Sequence, residues 1–136
     1  MSRGIRNNNP GNIRCSATIY QGEKRPSTDK SFKQFCNMAY GYRAMFMLLY
    51  TYQKRYGLHT LRQMIARYAP PNENNTDLYI ETVATWADVE PDLSIQTTSR
   101  DVMVPLVAAM SRMENGVPAV MSDVETGWKL FEDSIA

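Results

Sequence analysis

The chain has 136 residues and a mass of 15.5 kDa, the size of one ordinary domain. With 43% hydrophobic and 21% charged residues it is too apolar to be disordered throughout, and no run approaches the roughly 18–20 apolar residues that cross a bilayer. The net charge of +1 conceals a split: residues 1–70 carry twelve Lys and Arg against two acids (+10), residues 71–136 three against twelve (−9). That split fits two halves whose charges face each other or water, and equally a basic surface that meets a polyanion.

Residues 1–35 show little helical periodicity. Gly4, Pro10, Gly11, Gly22 and Pro26 interrupt them, and two strand-like runs, Ile13 to Tyr20 and Ser31 to Phe35, flank the polar loop QGEKRPSTDK. This predicts a loop followed by a small β-hairpin. From Asn37 the period changes. Met38, Tyr42, Met45, Phe46, Leu49, Tyr52 and Tyr56 recur at three- and four-residue steps, and Gly57 stands where that helix would stop. Gly41, inside it, marks a close approach of another backbone. Thr60-Leu-Arg-Gln63 reads as a capping box opening a helix through Leu61, Met64, Ile65 and Tyr68, which Pro70 and Pro71 close.

Thr76 is the expected N-cap of the next helix, with Leu78, Tyr79, Val83 and Trp86 on its buried side. After a linker beyond Pro91, a further helix is expected from Asp101 to Glu114, with Pro105 near its first turn and Asn115-Gly116 as its stop. Ser122-Asp-Val-Glu125 reads as a second capping box ahead of a last helix carrying Val124, Trp128, Leu130 and Phe131. The expected fold is mainly α (α+β), a single domain over residues 1–136. Residues 1–35 supply the loop and a small β-hairpin region, and residues 36–136 about five helices.

Cys15 and Cys36 suit neither a disulfide framework nor a zinc site, and the single His59 adds no cluster. No metal or cofactor is expected. The least ordinary segment is the opening RGIRNNNPGNIR. Asn7, Asn8, Asn9 and Asn12 offer amide donors and acceptors that suit a hydroxyl- and amide-rich ligand such as a sugar, and Pro10-Gly11 turns the chain so as to present them. The same residues would equally serve a surface loop that bonds to itself.

RGIRNNNPGNIR, FKQF followed by GYRAM, and YAPPNENNTDLYI resemble a group of phage and prophage proteins described as virion structural or lysozyme-like. The resemblance runs from Arg3 to about Val83. More distantly, Asn9-Pro-Gly-Asn-Ile-Arg14, Phe32-Lys-Gln-Phe35 and Tyr68-Ala69 are similar in their order to bacterial glucosaminidases of the lysozyme superfamily. In those enzymes the catalytic Glu ends a helix that precedes the Asn-containing turn. Here only Met1 and Ser2 precede the segment, and a helix of that kind comes late instead: VPLVAAMSRMENG, ending at Glu114. The resemblance therefore implies a lysozyme-like fold, circularly permuted, with its catalytic helix moved to the back. Chain ends often lie close together, which makes such a rearrangement physically cheap.

A carboxyl in the last turn of a helix meets the negative end of the macrodipole, and apolar neighbours such as Met110 and Met113 disfavour its charge further. Both effects keep Glu114 protonated, as a general acid for glycosidic cleavage must be. A structural Glu tolerated at a helix end is the plainer alternative. Glu73, in PPNENN, is a candidate base or substrate clamp, or else a solvated turn residue. The resemblance makes Tyr68, in the Tyr-Ala turn, a stabiliser of developing charge; otherwise it packs at a helix end. Arg43, in GYRAM, is expected to anchor the loop on a carboxylate of the acidic half. Tyr40, Tyr42, Tyr50, Tyr52, Tyr79 and Trp86 could line a sugar groove, but most of them stand at helical spacing and are read as core, as are the Met residues.

The leading expectation is a peptidoglycan-cleaving glycosidase of phage or prophage type: a muramidase, glucosaminidase or lytic transglycosylase. With one acid/base Glu and no second carboxylate, the sugar's own groups would complete the reaction. The expected partners are glycan strands and virion components, with the chain a monomer. The polar opening segment lacks a secretory signal's apolar core, so action in the virion, or at the wall after holin-type delivery, is expected. The alternatives are a non-catalytic virion or wall-binding protein, and a nucleic-acid binder through the basic half. Dispersed Lys and Arg, with no basic helix face, weigh against the last.

Overall fold

The computed structural model describes all 136 residues, Met1–Ala136. The elements in order are α1 (Arg3–Arg6), β1 (Glu23–Lys24), β2 (Gln34–Phe35), α2 (Met38–Tyr56), α3 (Leu61–Tyr68), α4 (Thr76–Ala87), α5 (Arg100–Asn115) and α6 (Met121–Ile135). The chain is mainly helical, as its periodicity predicts. No helix is long and apolar enough to cross a membrane.

The central helix α2 begins and ends where the sequence marks it. Asn37 Oδ1 accepts from Tyr40 N, and Gly57 closes the helix in the left-handed region at φ 65°. Its buried stripe of Tyr42, Met45, Phe46 and Leu49 packs on α6. There the Phe46 ring meets Trp128 edge-on at 5.0 Å, and Phe131 lies 6.0 Å from Phe46. Gly127 of α6 allows the close crossing, because a Cβ on it would press on Tyr42 Cβ and the Ala39 carbonyl. At Gly41 the carbonyl of Asn8 occupies the space a side chain would need, so the N-terminal loop lies directly on α2. The capping box of α3 is present in both directions, with Thr60 Oγ1 accepting from Gln63 N and the Gln63 side chain accepting from the Thr60 backbone. Twenty-seven buried apolar residues from the helices and the N-terminal region form one cluster.

Four local expectations are corrected. Residues 3–6 form a helical turn capped by the Ser2 hydroxyl, too short to show a period. The hairpin pairs Glu23 with Phe35 and Lys24 with Gln34; of the run Ile13 to Tyr20 only Arg14 pairs, in a single bridge to Phe32. Asn75, not Thr76, caps α4, and the Thr76 hydroxyl donates instead to the Ala69 carbonyl at 2.5 Å. This phase leaves Leu78 and Trp86 exposed and buries Tyr79, Ile80 and Val83. Finally, α6 starts at Met121 after Val120 with no side-chain cap, so Ser122 lies inside the helix.

Candidate active site

Asn-rich loop and late helix meet in space. The Ser2 hydroxyl donates to Asn115 Oδ1 at 2.6 Å, and Asn115 Nδ2 donates to the Pro10 carbonyl at 2.8 Å. The first residues of the chain are thereby pinned to the C-terminal end of α5. Asn8 and Asn12 take left-handed conformations at φ 51° and 49°, which asparagine tolerates better than most side chains. The turn they form carries Asn12 across to Glu114.

Glu114 is held from two sides. Asn12 Nδ2 donates to its Oε1 at 2.9 Å and Tyr79 Oη donates to its Oε2 at 2.8 Å. Burial pushes its carboxyl up from the ordinary range, while the bonds from Asn12 and Tyr79 and the charge of Arg14 pull the other way. Burial and the nearby Glu114 charge raise Tyr68 and Tyr79 well above an ordinary phenol, so both hydroxyls stay protonated. Tyr79 is the adaptable partner, because a phenol can donate to a carboxylate and accept from a carboxylic acid.

Glu114 opens into a cleft of about 140 Å³ whose wall includes Asn12, Arg14, Phe32, Tyr68 and Glu73. Through Asn12, Arg14, Tyr68 and Glu73 this cleft runs into a second hollow of about 350 Å³ reaching Tyr20, Tyr52 and Arg67. A third, of about 510 Å³, shares Thr18, Tyr20, Leu48, Tyr52 and Arg67 with the second and ends at Arg43, Arg55 and Tyr56. The three hollows adjoin through these shared residues, and we treat them as one groove.

Glu114, Glu73, Tyr68 and Asn12 therefore share one site. Within it Glu73 is tied to Arg14 at 3.4 Å, both exposed. The Tyr68 hydroxyl spends its proton in a short hydrogen bond to the Gly11 carbonyl, so it supports the loop rather than pointing a free donor into the cleft. The other asparagines turn inward. Asn9, fully buried, donates to the carbonyls of Ile13 and Lys33 and accepts from Ile13 N, each at 2.9 Å. Asn7 donates to Asp29 and accepts from Gln34, each at 3.0 Å. Asn8 donates to the Phe35 carbonyl at 3.2 Å. These three amides bond within the chain's own loop, the other role open to them, and of the four asparagines Asn12 is the one that reaches Glu114. Arg43 does not find its carboxylate either. It donates to Ser134 Oγ at 3.0 and 3.3 Å, in the last turn of α6.

No family model matches the chain. Over 132 residues it is 33% identical to Protein P5 of Pseudoalteromonas phage PM2, an alignment spanning 94% of this chain and 81% of that protein. The chain belongs to the P5 family of phage proteins.

What the sequence of this P5-family chain does not show is the bond from Tyr79 to Glu114. Tyr79 lies in the quoted stretch YAPPNENNTDLYI, but its place on an apolar helical stripe reads as core, and indeed its ring is buried. Only the position of its hydroxyl relative to α5 distinguishes it from a packing residue. Nor does anything local in NIRC show that Arg14 will line the cleft and pair with Glu73.

Proposed function

We propose that the chain is a phage peptidoglycan glycosidase in which Glu114 is the general acid. The observation that carries this reading is the carboxyl of Glu114, raised by burial at the end of α5, gripped by Asn12 and Tyr79, and facing an elongated groove. A linear glycan suits such a groove, and a protonated carboxyl beside a glycosidic oxygen supplies what its cleavage needs. The union of the N-terminal turn with the end of α5 supports a permuted lysozyme-like arrangement, since it puts the late helix beside the Asn-containing turn that it would precede in an unpermuted chain.

Asn12 fixes Oε1 as an acceptor, so the proton resides on Oε2, whose partner Tyr79 can reverse its bond. Glu114 gives that proton to the leaving oxygen as the bond to the anomeric carbon breaks. No second carboxylate bonds to Glu114, and Glu73 is drawn toward Arg14. This favours a course in which the sugar's own hydroxyl closes on the anomeric carbon and Glu114 takes back a proton, the outcome of a lytic transglycosylase.

Digestion of purified peptidoglycan by the wild type and by Glu114→Gln, with mass analysis of the products, tests the proposal. The wild type is expected to release muropeptides with anhydro ends, and the variant to lose activity by about 10²–10⁴-fold. Reducing ends would instead make it a hydrolase. The same isolation of Glu114 from other carboxylates favours, as a second reading, a virion protein that grips the wall without cutting it. A folded wild type that sediments with peptidoglycan and releases nothing would establish that one.

A further inference from the structure

The outer end of the groove has a chemistry that cleavage at Glu114 does not use. Three guanidinium groups, from Arg43, Arg55 and Arg67, line its 510 Å³ hollow, and no Asp or Glu does. None of the three makes an ion pair. Arg43 is only 8% exposed, and its protein partner is a neutral hydroxyl, Ser134. A guanidinium removed from water without an anion is costly, and the negative end of the α6 dipole repays only part of that cost. The Arg67 guanidinium lies over the Tyr56 ring at 3.8 Å and near the Tyr52 ring at 5.3 Å, which holds its planar fork in place.

We propose that this end of the groove binds a carboxylate-bearing peptide attached to the glycan, with Arg43, Arg55 and Arg67 receiving its carboxylates. The assignment rests on the glycan reading of the groove. Guanidinium forks match carboxylates bidentately, and Met47, Leu48 and Ile19 beside them suit short apolar side chains between those carboxylates. A bare polyphosphate would have no use for that apolar surface. Continuity with the Glu114 cleft gives such a peptide a place beside the strand being cut.

The test uses the full chain carrying Glu114→Gln to prevent turnover, and compares it with the same chain carrying Arg55→Gln as well. Arg55 lines only the outer hollow and is exposed, so its loss spares both the fold and the part of the groove nearer Glu114. Affinities are measured by calorimetry for a disaccharide-tetrapeptide muropeptide, for a peptide-free chitooligosaccharide and for inorganic polyphosphate. The arginine variant is expected to bind the muropeptide about tenfold or more weakly and the peptide-free sugar unchanged. An equal loss for both ligands, no loss for either, or tighter binding of polyphosphate than of muropeptide would overturn the proposal. If the wild type cuts no wall yet shows this arginine-dependent preference, the peptide site stands and the cleavage reading falls. If it cuts the wall and the preference is missing, the reverse holds.

Discussion

Tyr79→Phe tests the electrostatics of the site without requiring any activity. It removes one oxygen, the donor 2.8 Å from Glu114 Oε2, and leaves in place a ring that is 4% exposed. When Glu114 is ionised, the lost bond is charge-assisted and worth about 1.5–3 kcal/mol; when it is protonated, the bond is between neutral groups and worth about 0.5–1.5 kcal/mol. The variant should therefore lose about 2 kcal/mol at pH 8 and about 1 kcal/mol at pH 3.5. The direction follows from linkage. Burial raises Glu114 in the folded state, so the native chain holds this proton more tightly than the unfolded one. Its contribution to stability is most favourable below the unfolded value and declines as pH rises through the native value, by at most about 1.4 kcal/mol per pH unit. Losing the Tyr79 donor raises the native value further and deepens the decline. Urea denaturation at the two pH values measures the difference, and carboxyl carbon NMR follows Glu114 itself. If cleavage occurs, the alkaline limb of kcat/KM should move upward with it. An equal loss of stability at both pH values, with an unmoved Glu114 titration, would show that Tyr79 is only packing.

Two further outcomes concern the framework. Gly41→Ala would ordinarily gain about 0.5–1 kcal/mol inside a helix, but here the new Cβ meets the Asn8 carbonyl and Pro10; we expect a net loss of about 1–3 kcal/mol, and an unchanged or higher Tm would refute the contact. Lys33 and Glu23 form a buried pair, 1% and 5% exposed at 3.1 Å. Lys33→Met strands the Glu23 charge and should cost about 3–5 kcal/mol, while Lys33→Met/Glu23→Gln should recover at least about 1 kcal/mol of it in denaturant titrations. Because Lys33 Nζ also donates to the Thr18 carbonyl at 2.8 Å, the single variant should also loosen the groove wall.

The helices were legible from their period, and at α2 and α3 from their caps as well, though at α6 the Ser122 capping box did not form. Asn37 and Gly57 bracket α2, and Thr60 with Gln63 opens α3, because each of these signals works through bonds within four residues. At α4 the expected cap, Thr76, is one residue late. Its hydroxyl is held by the carbonyl of Ala69, seven residues back, and the Asn75 side chain caps the helix instead. The position of the site was legible in part. Asn12 and Glu114 were both singled out, yet their contact spans 102 positions and is made by the loop docking on α5. The asparagine triplet carried two readings for a physical reason: an amide that can bind a sugar can equally close a loop, and Asn7, Asn8 and Asn9 use their amides on their own chain.

The charge split resolves in the same way. Had the basic and acidic halves simply neutralised each other, their ion pairs would be numerous. Only Arg14 with Glu73, and Arg62 with Asp92 and Glu81, join residues before position 70 to residues after it. Two other basic groups, Arg3 and Lys33, are satisfied within the first half by Asp29 and Glu23. Much of the remaining positive charge stands unpaired, and Arg43, Arg55 and Arg67 gather it at one end of the groove, while the raised carboxyl of Glu114 stands at the other. Arg55 and Arg67 are exposed and solvated, whereas Arg43, 8% exposed and bonded only to the neutral Ser134 hydroxyl, is the one whose charge an incoming anion would stabilise most. The arrangement thus suits a ligand that is neutral where its bond meets Glu114 and negative further along, the distribution of charge on a glycan strand that carries peptides.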